Sequence, residues 1–451
     1  MKILLGKNII DRPVYWNVES EKNPHLIVLG TSGSGKTETL KVIVSELNKN
    51  KIPSLIIDFH KEYEEVAENI LDLKKKTINP LEFSENEKAE NVMYEVAEII
   101  KKVFKLGDIQ ESVLRQAIRQ SYLSYGIDLK KTGKYKKFPN FLDIEKNIYN
   151  QEDSSNRTVI NSLMSRIEAL FDIDIFTGST NIEFSKLVRE TTVVELKDFP
   201  TETVKSAIAE FFLNKLYYYI YSLDRSKKIK MYCIIDEAHR LMYENSPLDK
   251  LLREARKYGV GVILASQRPS DFNETVLANA GALLSFQCTL DRDAKFVSKQ
   301  LNLEPRKIKN LAEPGLGYIK FSRGEKADKI KITPLAKRGI IKKKKIKEYV
   351  EERKIEKEKF QNLRRIFFYD DEGIGAIPIL RTALISILLL MGFWSLYYEL
   401  RLAVIFFILA FIWTPLFTHN LEIELQKEKL RFFNLFRLLL SGLLFFLFYF
   451  L

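Results

Sequence analysis

Four consecutive aliphatic residues, Leu26 to Leu29, run straight into Gly30-Thr31-Ser32-Gly33-Ser34-Gly35-Lys36-Thr37-Glu38, and a helical pattern starts at once behind them. A buried strand that ends in G-x-x-x-x-G-K-[ST] and opens a helix has the context of a phosphate-binding loop. Gly30, Gly33 and Gly35 let the backbone curl so that successive N–H groups point inward, and the helix start adds its positive dipole end. Lys36 is placed to reach the β- and γ-phosphates, and the Thr37 hydroxyl to ligate Mg²⁺. The whole run, with Thr31, Ser32, Ser34 and Glu38, is read as the binding segment for a nucleoside triphosphate, ATP with Mg²⁺.

The 451 residues suffice for two or three units. A net charge of +12 favours an anionic partner, nucleic acid or a lipid surface, without choosing between them. Cys233 and Cys288, the only cysteines, lie inside apolar runs and read as core residues of a reducing compartment. The four histidines lack ligand spacing, so no zinc site is expected. The first residues contain no continuous apolar stretch, so no signal peptide is expected.

Along the chain, residues 1–84 read as a β-rich lead-in followed by the phosphate loop, its helix, and a second buried strand, Ser54 to Phe59. From about 85 to 184 the apolar residues recur at helical spacing, as in Val92, Val96, Ile99, Ile100 and Val103. A helix is expected to start with Asp108 as its cap and to end at Gly126. The basic run Lys130 to Lys137 reads as a solvated loop, with a nucleic-acid contact as the alternative, and Tyr217-Tyr218-Tyr219 with Tyr221 as packing. Residues 185–334 return to strands alternating with helices: Thr192–Leu196, Met231 onward, Gly261 onward, Ala282–Leu290, Gly317–Phe321 and Lys329–Ile332. The expectation is an α/β fold, a largely parallel sheet covered on both faces, with an inserted all-α subdomain.

Beyond 334 the composition changes. Residues 335–375 form a charged linker or helix, and 376–451 hold apolar runs at 377–398, 402–417 and 438–451. A membrane-spanning helix needs about 20 such residues. Arg381 can snorkel to the interface, and the basic residues before Ile377 and at Lys427, Lys429 and Arg431 suit the cytoplasmic side. Two to three transmembrane helices are expected at the C-terminus of a cell-membrane protein whose remaining domains are cytoplasmic.

Hydrolysis needs a carboxylate for Mg²⁺, a group to polarise water and a cation against the developing charge. The apolar strand ending in Asp236-Glu237 supplies the first two: Asp236 on the metal side, Glu237 facing the attacking water. Gln267, at the end of the run Gly261 to Ser266, is placed to sense the γ-phosphate. For the cation, Arg240, Arg253, Arg256 and Arg268 all qualify, with Arg256 preferred as a finger offered to a neighbouring subunit.

The segments GTSGSGKTETL, IIDFHKEY, INPLEF, VVELKDFP, CIIDEAHRLM and REARKYGVGVILASQRPSD stand in the order seen in HerA-type ATPases. Over roughly residues 5–333 the chain resembles these members of the HerA/FtsK superfamily, which also holds the ATPases of conjugation and type IV secretion. The resemblance implies a RecA-like P-loop NTPase domain assembled as a hexameric ring that moves DNA through its pore. HerA helicases carry an N-terminal β-barrel, for which 24 residues are too few, and lack membrane helices. Those departures fit the membrane-bound CedB-type ATPases of archaeal DNA import. The expected function is a membrane-anchored DNA translocase, with DNA contacts near Arg240–Asn245 and Phe272–Glu274. Pilus- or secretion-subunit assembly, with channel or pilus proteins as partners, is the rival reading, and DNA end processing a further one.

Overall fold

The computed structural model describes residues 1–338, apart from 273–275, 278–279 and 325, and the backbone of Tyr369–Asp370 and Gly373–Ile374, which pair antiparallel. Met1–Lys342 forms one compact unit, and Lys343–Leu451 a second. The apolar runs expected to cross a membrane, and the charged linker beyond Arg338, lie outside the described residues. Among the described residues no helix is long and apolar enough to cross a membrane.

Uninterrupted apolar runs are what strands buried on both faces require. In chain order the strands are β1 (Lys2–Asn8), β2 (Pro13–Asn17), β3 (Leu26–Leu29), β4 (Ser54–Asp58), β5 (Asn69–Asp72), β6 (Thr192–Glu195), β7 (Ser226–Ile235), β8 (Tyr258–Ser266), β9 (Ala282–Ser285), β10 (Leu316–Phe321) and β11 (Asp328–Ile332). They make one sheet in the order β2-β1-β11-β10-β9-β3-β8-β7-β4-β6-β5. From β9 to β5 every neighbour is parallel, whereas β2, β1, β11 and β10 run antiparallel at one side. Alternate side chains of one strand enter opposite cores: Ile27 and Leu29 face one, Leu26 and Val28 the other.

The helices are α1 (Lys36–Lys49), α2 (Ala89–Phe104), α3 (Asp108–Ser124), α4 (Phe141–Tyr149), α5 (Arg157–Ile167), α6 (Phe184–Leu187), α7 (Glu202–Tyr221), α8 (Pro247–Glu254), α9 (Asp291–Leu301) and α10 (Pro305–Lys309). Leu40, Ile43, Val44 and Leu47 of α1 bury themselves against one sheet face. Each such burial stabilises by about 1.5–3 kcal/mol. Between β5 and β6 the chain makes α2 to α6, whose apolar stripes join α7 in the core of the opposite face. The tyrosines of α7 pack: Tyr219 stacks on Phe184, and Tyr221 meets Tyr258. In the basic loop, Tyr135 packs on Phe83 and Phe138.

Several boundaries differ from expectation. Asp108 is the first helical residue of α3, and Gly107 is the cap, its N–H donating to the Gln110 side chain at 2.9 Å. The run 282–290 leaves the sheet at Ser285, because the next backbone groups turn towards the glycine loop. The Phe286 N–H donates to Leu29, and the Gln287 carbonyl accepts the Thr31 N–H at 2.8 Å. Helix α8 ends at Glu254, and β8 starts four residues on at Tyr258. There Gly259 has φ +80°, and a Cβ would lie 2.4 Å from the Lys228 carbonyl oxygen. Strand β5 is an unexpected edge strand, with three of its four side chains exposed.

His25 ties β3 to β8: its Nδ1 accepts the Val262 N–H at 2.9 Å inside the core. Burial pushes its pKa down to about 4, so the imidazole is neutral in the folded chain. The unfolded state takes up this proton first, so the stabilisation from neutral His25 is complete above pH ~6.5. It is lost as pH falls from there to about 4, by about 3 kcal/mol. Urea unfolding of wild type and His25→Asn at pH 7.5 and 4.5 checks this: the variant's stability should change less between the two pH values.

Candidate nucleotide-binding and hydrolysis site

Strands β3, β8 and β7 lie side by side and parallel, so their C-terminal ends bring three sequence-distant segments to one sheet edge. From β3 comes the glycine loop. Gly33 and Gly35 have φ of +73° and +106°, left-handed values that side chains disfavour. A Cβ on Gly35 would stand 2.9 Å from the Gly315 amide nitrogen, so the loop is closed from behind by the β10 lead-in. Ser34 donates through its hydroxyl to the Thr31 carbonyl at 2.7 Å, and Thr31 donates through its own to Gln287 at 3.2 Å. Lys36 is buried, and its Nζ donates back to the Thr31 carbonyl at 3.0 Å. Burial lowers its pKa, opposed by the charges of Asp236 and Glu237. A buried ammonium held by a single loop carbonyl is a cation for which a phosphate is the complementary anion.

From β7 come Asp236 and Glu237, both buried. The Thr37 hydroxyl donates to Asp236 Oδ2 at 3.1 Å, and the Glu237 N–H to Asp236 Oδ1 at 2.9 Å. Among the described residues no cluster of three histidine, cysteine or acidic side chains could hold a metal. Thr37 and Asp236 suit Mg²⁺, an ion bound through one or two protein oxygens together with substrate phosphates and waters. Glu237 has left-handed backbone (φ 55°), strained for a non-glycine residue by about 1–3 kcal/mol. Gln267, at the end of β8, donates through Nε2 to Glu237 Oε1, and the His239 ring lies 3.3 Å from Oε2. Burial lowers the pKa of His239, with Glu237 opposing.

One member of the expected binding segment turns away from this edge, and the residues expected to touch DNA or a neighbouring subunit lie elsewhere. The Glu38 carboxylate turns to the Leu335 N–H, 2.6 Å away. Phe272 is buried in the core, and residues 273 and 274 lie outside the described residues. Arg256 precedes β8 at the opposite end of the strands. Eight residue-to-residue steps run from Tyr258 to Ser266, which places Arg256 about 25 Å from the glycine loop of its own chain. It lines a cleft of about 1380 Å³ with Arg253, Lys257, Arg225, Lys227 and Lys228. Arg240 pairs with Glu202 and lies over the Phe59 ring, and Arg253 pairs with Asp249. Cys233 and Cys288 are buried free thiols, pushed by burial up to about 12 and about 11.

Tyr63 and His239 are site members that the sequence does not single out. The Tyr63 hydroxyl donates to Asp236 Oδ2 at 2.7 Å. The only local sign is charge in HKEYEE at the end of an apolar strand, and that pattern does not say which side chain turns inward.

A glycine loop leading into a helix, with an Asp-Glu pair at a neighbouring strand end of a parallel sheet, defines the P-loop NTPase class. Residues 5–216 match the family described as the central domain of helicase HerA. Over those residues the chain carries a HerA-type domain. It is 27% identical over 300 residues to the DNA double-strand break repair helicase HerA of Sulfurisphaera tokodaii, covering 60% of this chain and 57% of that protein. To the DNA import protein CedB of Sulfolobus acidocaldarius it is 29% identical over 312 residues, covering 62% of this chain and 47% of that protein. The chain thus spans about half the length of these two relatives. The solved structure of VirB4 of Thermoanaerobacter pseudethanolicus shares the fold, with TM-score 0.61, 19% identity, and coverage of 73% of this chain and 96% of that one.

Proposed function

We propose that this chain is an ATP hydrolase that moves DNA, working as a hexameric ring and fixed to the membrane by residues 376–451. The observation that carries the reading is the convergence of Lys36, Thr37, Asp236, Glu237 and Gln267 at one sheet edge. Gly30 to Thr37 cradle the triphosphate, Lys36 binds its phosphates, and Thr37 with Asp236 holds Mg²⁺. Glu237 polarises water, and Gln267 reports the γ-phosphate to it. Arg256, far from its own loop, supplies the cation to a neighbouring subunit. The names of the HerA and CedB relatives support DNA as the cargo. The helices between β5 and β6 form the subdomain inserted into the RecA-like domain.

A phosphate backbone held by lysines and arginines makes binding fall steeply with salt. The full chain in detergent is therefore expected to hydrolyse ATP faster with DNA than without, with the stimulation fading between 50 and 200 mM salt, conditions over which ~6–10 phosphate contacts lose about 10³–10⁵ in affinity. Arg256→Ala should keep nucleotide binding and lose the stimulation. Hydrolysis indifferent to DNA at low salt would instead favour a motor acting on protein subunits.

A further inference from the structure

Asp236 Oδ2 receives two hydroxyls, from Thr37 at 3.1 Å and from Tyr63 at 2.7 Å. The two donors differ in what else they can do. Thr37 belongs to the glycine-loop helix and, under the nucleotide reading above, its oxygen is also wanted by the metal ion. Tyr63 faces no such competing demand. Its ring is fully buried in the core beneath α1, and its hydroxyl points at the carboxylate. We propose that Tyr63 is a positioning residue for the metal site, the donor that keeps the Asp236 carboxylate aimed at Thr37 when the Thr37 hydroxyl turns away.

The loop that carries Tyr63 is built for a fixed position. Asp58, the last residue of β4, accepts four backbone N–H groups: His60 at 3.0 Å and Lys61 at 2.9 Å on Oδ1, Glu62 at 2.7 Å and Tyr63 at 3.1 Å on Oδ2. A buried carboxylate that gathers four amides locks the turn between them. Strand β4 is hydrogen-bonded to β7, which carries Asp236, so the two acidic strand ends are adjacent. Asp58 thus sets the loop, the loop sets Tyr63, and Tyr63 sets Asp236. A phenylalanine would fill the same space and leave the carboxylate with one hydroxyl fewer.

The test is binding of a fluorescent N-methylanthraniloyl ATP to the full chain, in EDTA and across a Mg²⁺ titration, for wild type and Tyr63→Phe. The inference rests on the nucleotide reading, and the two conditions separate their failures. In EDTA the variant is expected to bind within about twofold of wild type. The gain in affinity on adding Mg²⁺ should shrink about tenfold, the scale of one hydrogen bond to a charged group. The Mg²⁺ concentration at half-saturation should rise with it. Asp58→Asn, which keeps the tyrosine but loosens the loop that aims it, should shift Mg²⁺ dependence in the same direction. A Tyr63→Phe protein with the wild-type Mg²⁺ gain overturns the proposal. So does one whose EDTA and Mg²⁺ affinities fall equally, since that marks a structural role. Wild-type protein that binds no nucleotide under either condition removes the nucleotide reading, and the proposal with it.

Discussion

Glu237→Gln is expected to lower ATP turnover about a thousandfold while leaving ATP affinity within a few-fold. Removal of a positioned acid–base group typically costs 10²–10⁴ in rate. The Glu237 carboxylate takes its hydrogen bond from Gln267 and lies beside His239, both outside the glycine loop, so nucleotide retention should survive its neutralisation. Lys36→Ala should differ in kind: the buried ammonium inside the loop is lost, and binding fails together with turnover. Single-turnover hydrolysis beside equilibrium binding separates the cases. Turnover of Glu237→Gln within tenfold of wild type would remove Glu237 from its role.

The second large effect concerns stability. The Arg338 side chain is only 5% exposed, and its guanidinium meets Glu46 of α1 at 3.2 Å. It also donates to the carbonyls of Leu4 at 2.8 Å, Leu5 at 2.6 Å and Thr333 at 2.9 Å. Together with the Glu38–Leu335 bond, this clamps the segment after β11 along the helix that begins at Lys36. Breaking a buried pair by removing one partner costs about 3–5 kcal/mol; Glu46 keeps Lys49 at 2.6 Å and the Leu4 N–H at 3.3 Å, which holds the loss to the low end. Arg338→Ala is therefore expected to lose about 3 kcal/mol, a fall in Tm of about 4 °C for a unit of this size. Arg338→Lys should recover only part, since an ammonium cannot reproduce the planar fork. Thermal unfolding of the three proteins measures this, and an unchanged Tm for Arg338→Ala would show the clamp to be without energetic weight.

The first of these effects is readable from the sequence, and the second is not. The glycine loop was legible because its requirements are local: left-handed backbone at Gly33 and Gly35, a strand before and a helix after. Asp236 and Glu237 were legible because a carboxylate pair after a buried apolar run is conspicuous. Strands β3, β4, β7 and β8 were legible because burial on both faces demands continuous apolar runs. Edge strand β5 was not, since its exposed side chains carry no such pattern. The early end of β9 was not either: Ala282 to Leu290 reads as one mostly apolar run, while Gln287 is diverted to Thr31.

By itself the amino-acid order determined the phosphate loop, the acidic strand end and the alternation of strands with helices. All three follow from backbone dihedral preferences and burial patterns within a few neighbouring residues. The tertiary structure alone decided which strand ends share an edge, that Tyr63 meets Asp236 across 173 residues, and that Arg338 closes on Glu46. It also decided that Arg256 sits at the far end of the strands from its own loop. Those pairings depend on sheet order, and sheet order is set by how whole faces pack, a global condition that no short stretch of sequence encodes.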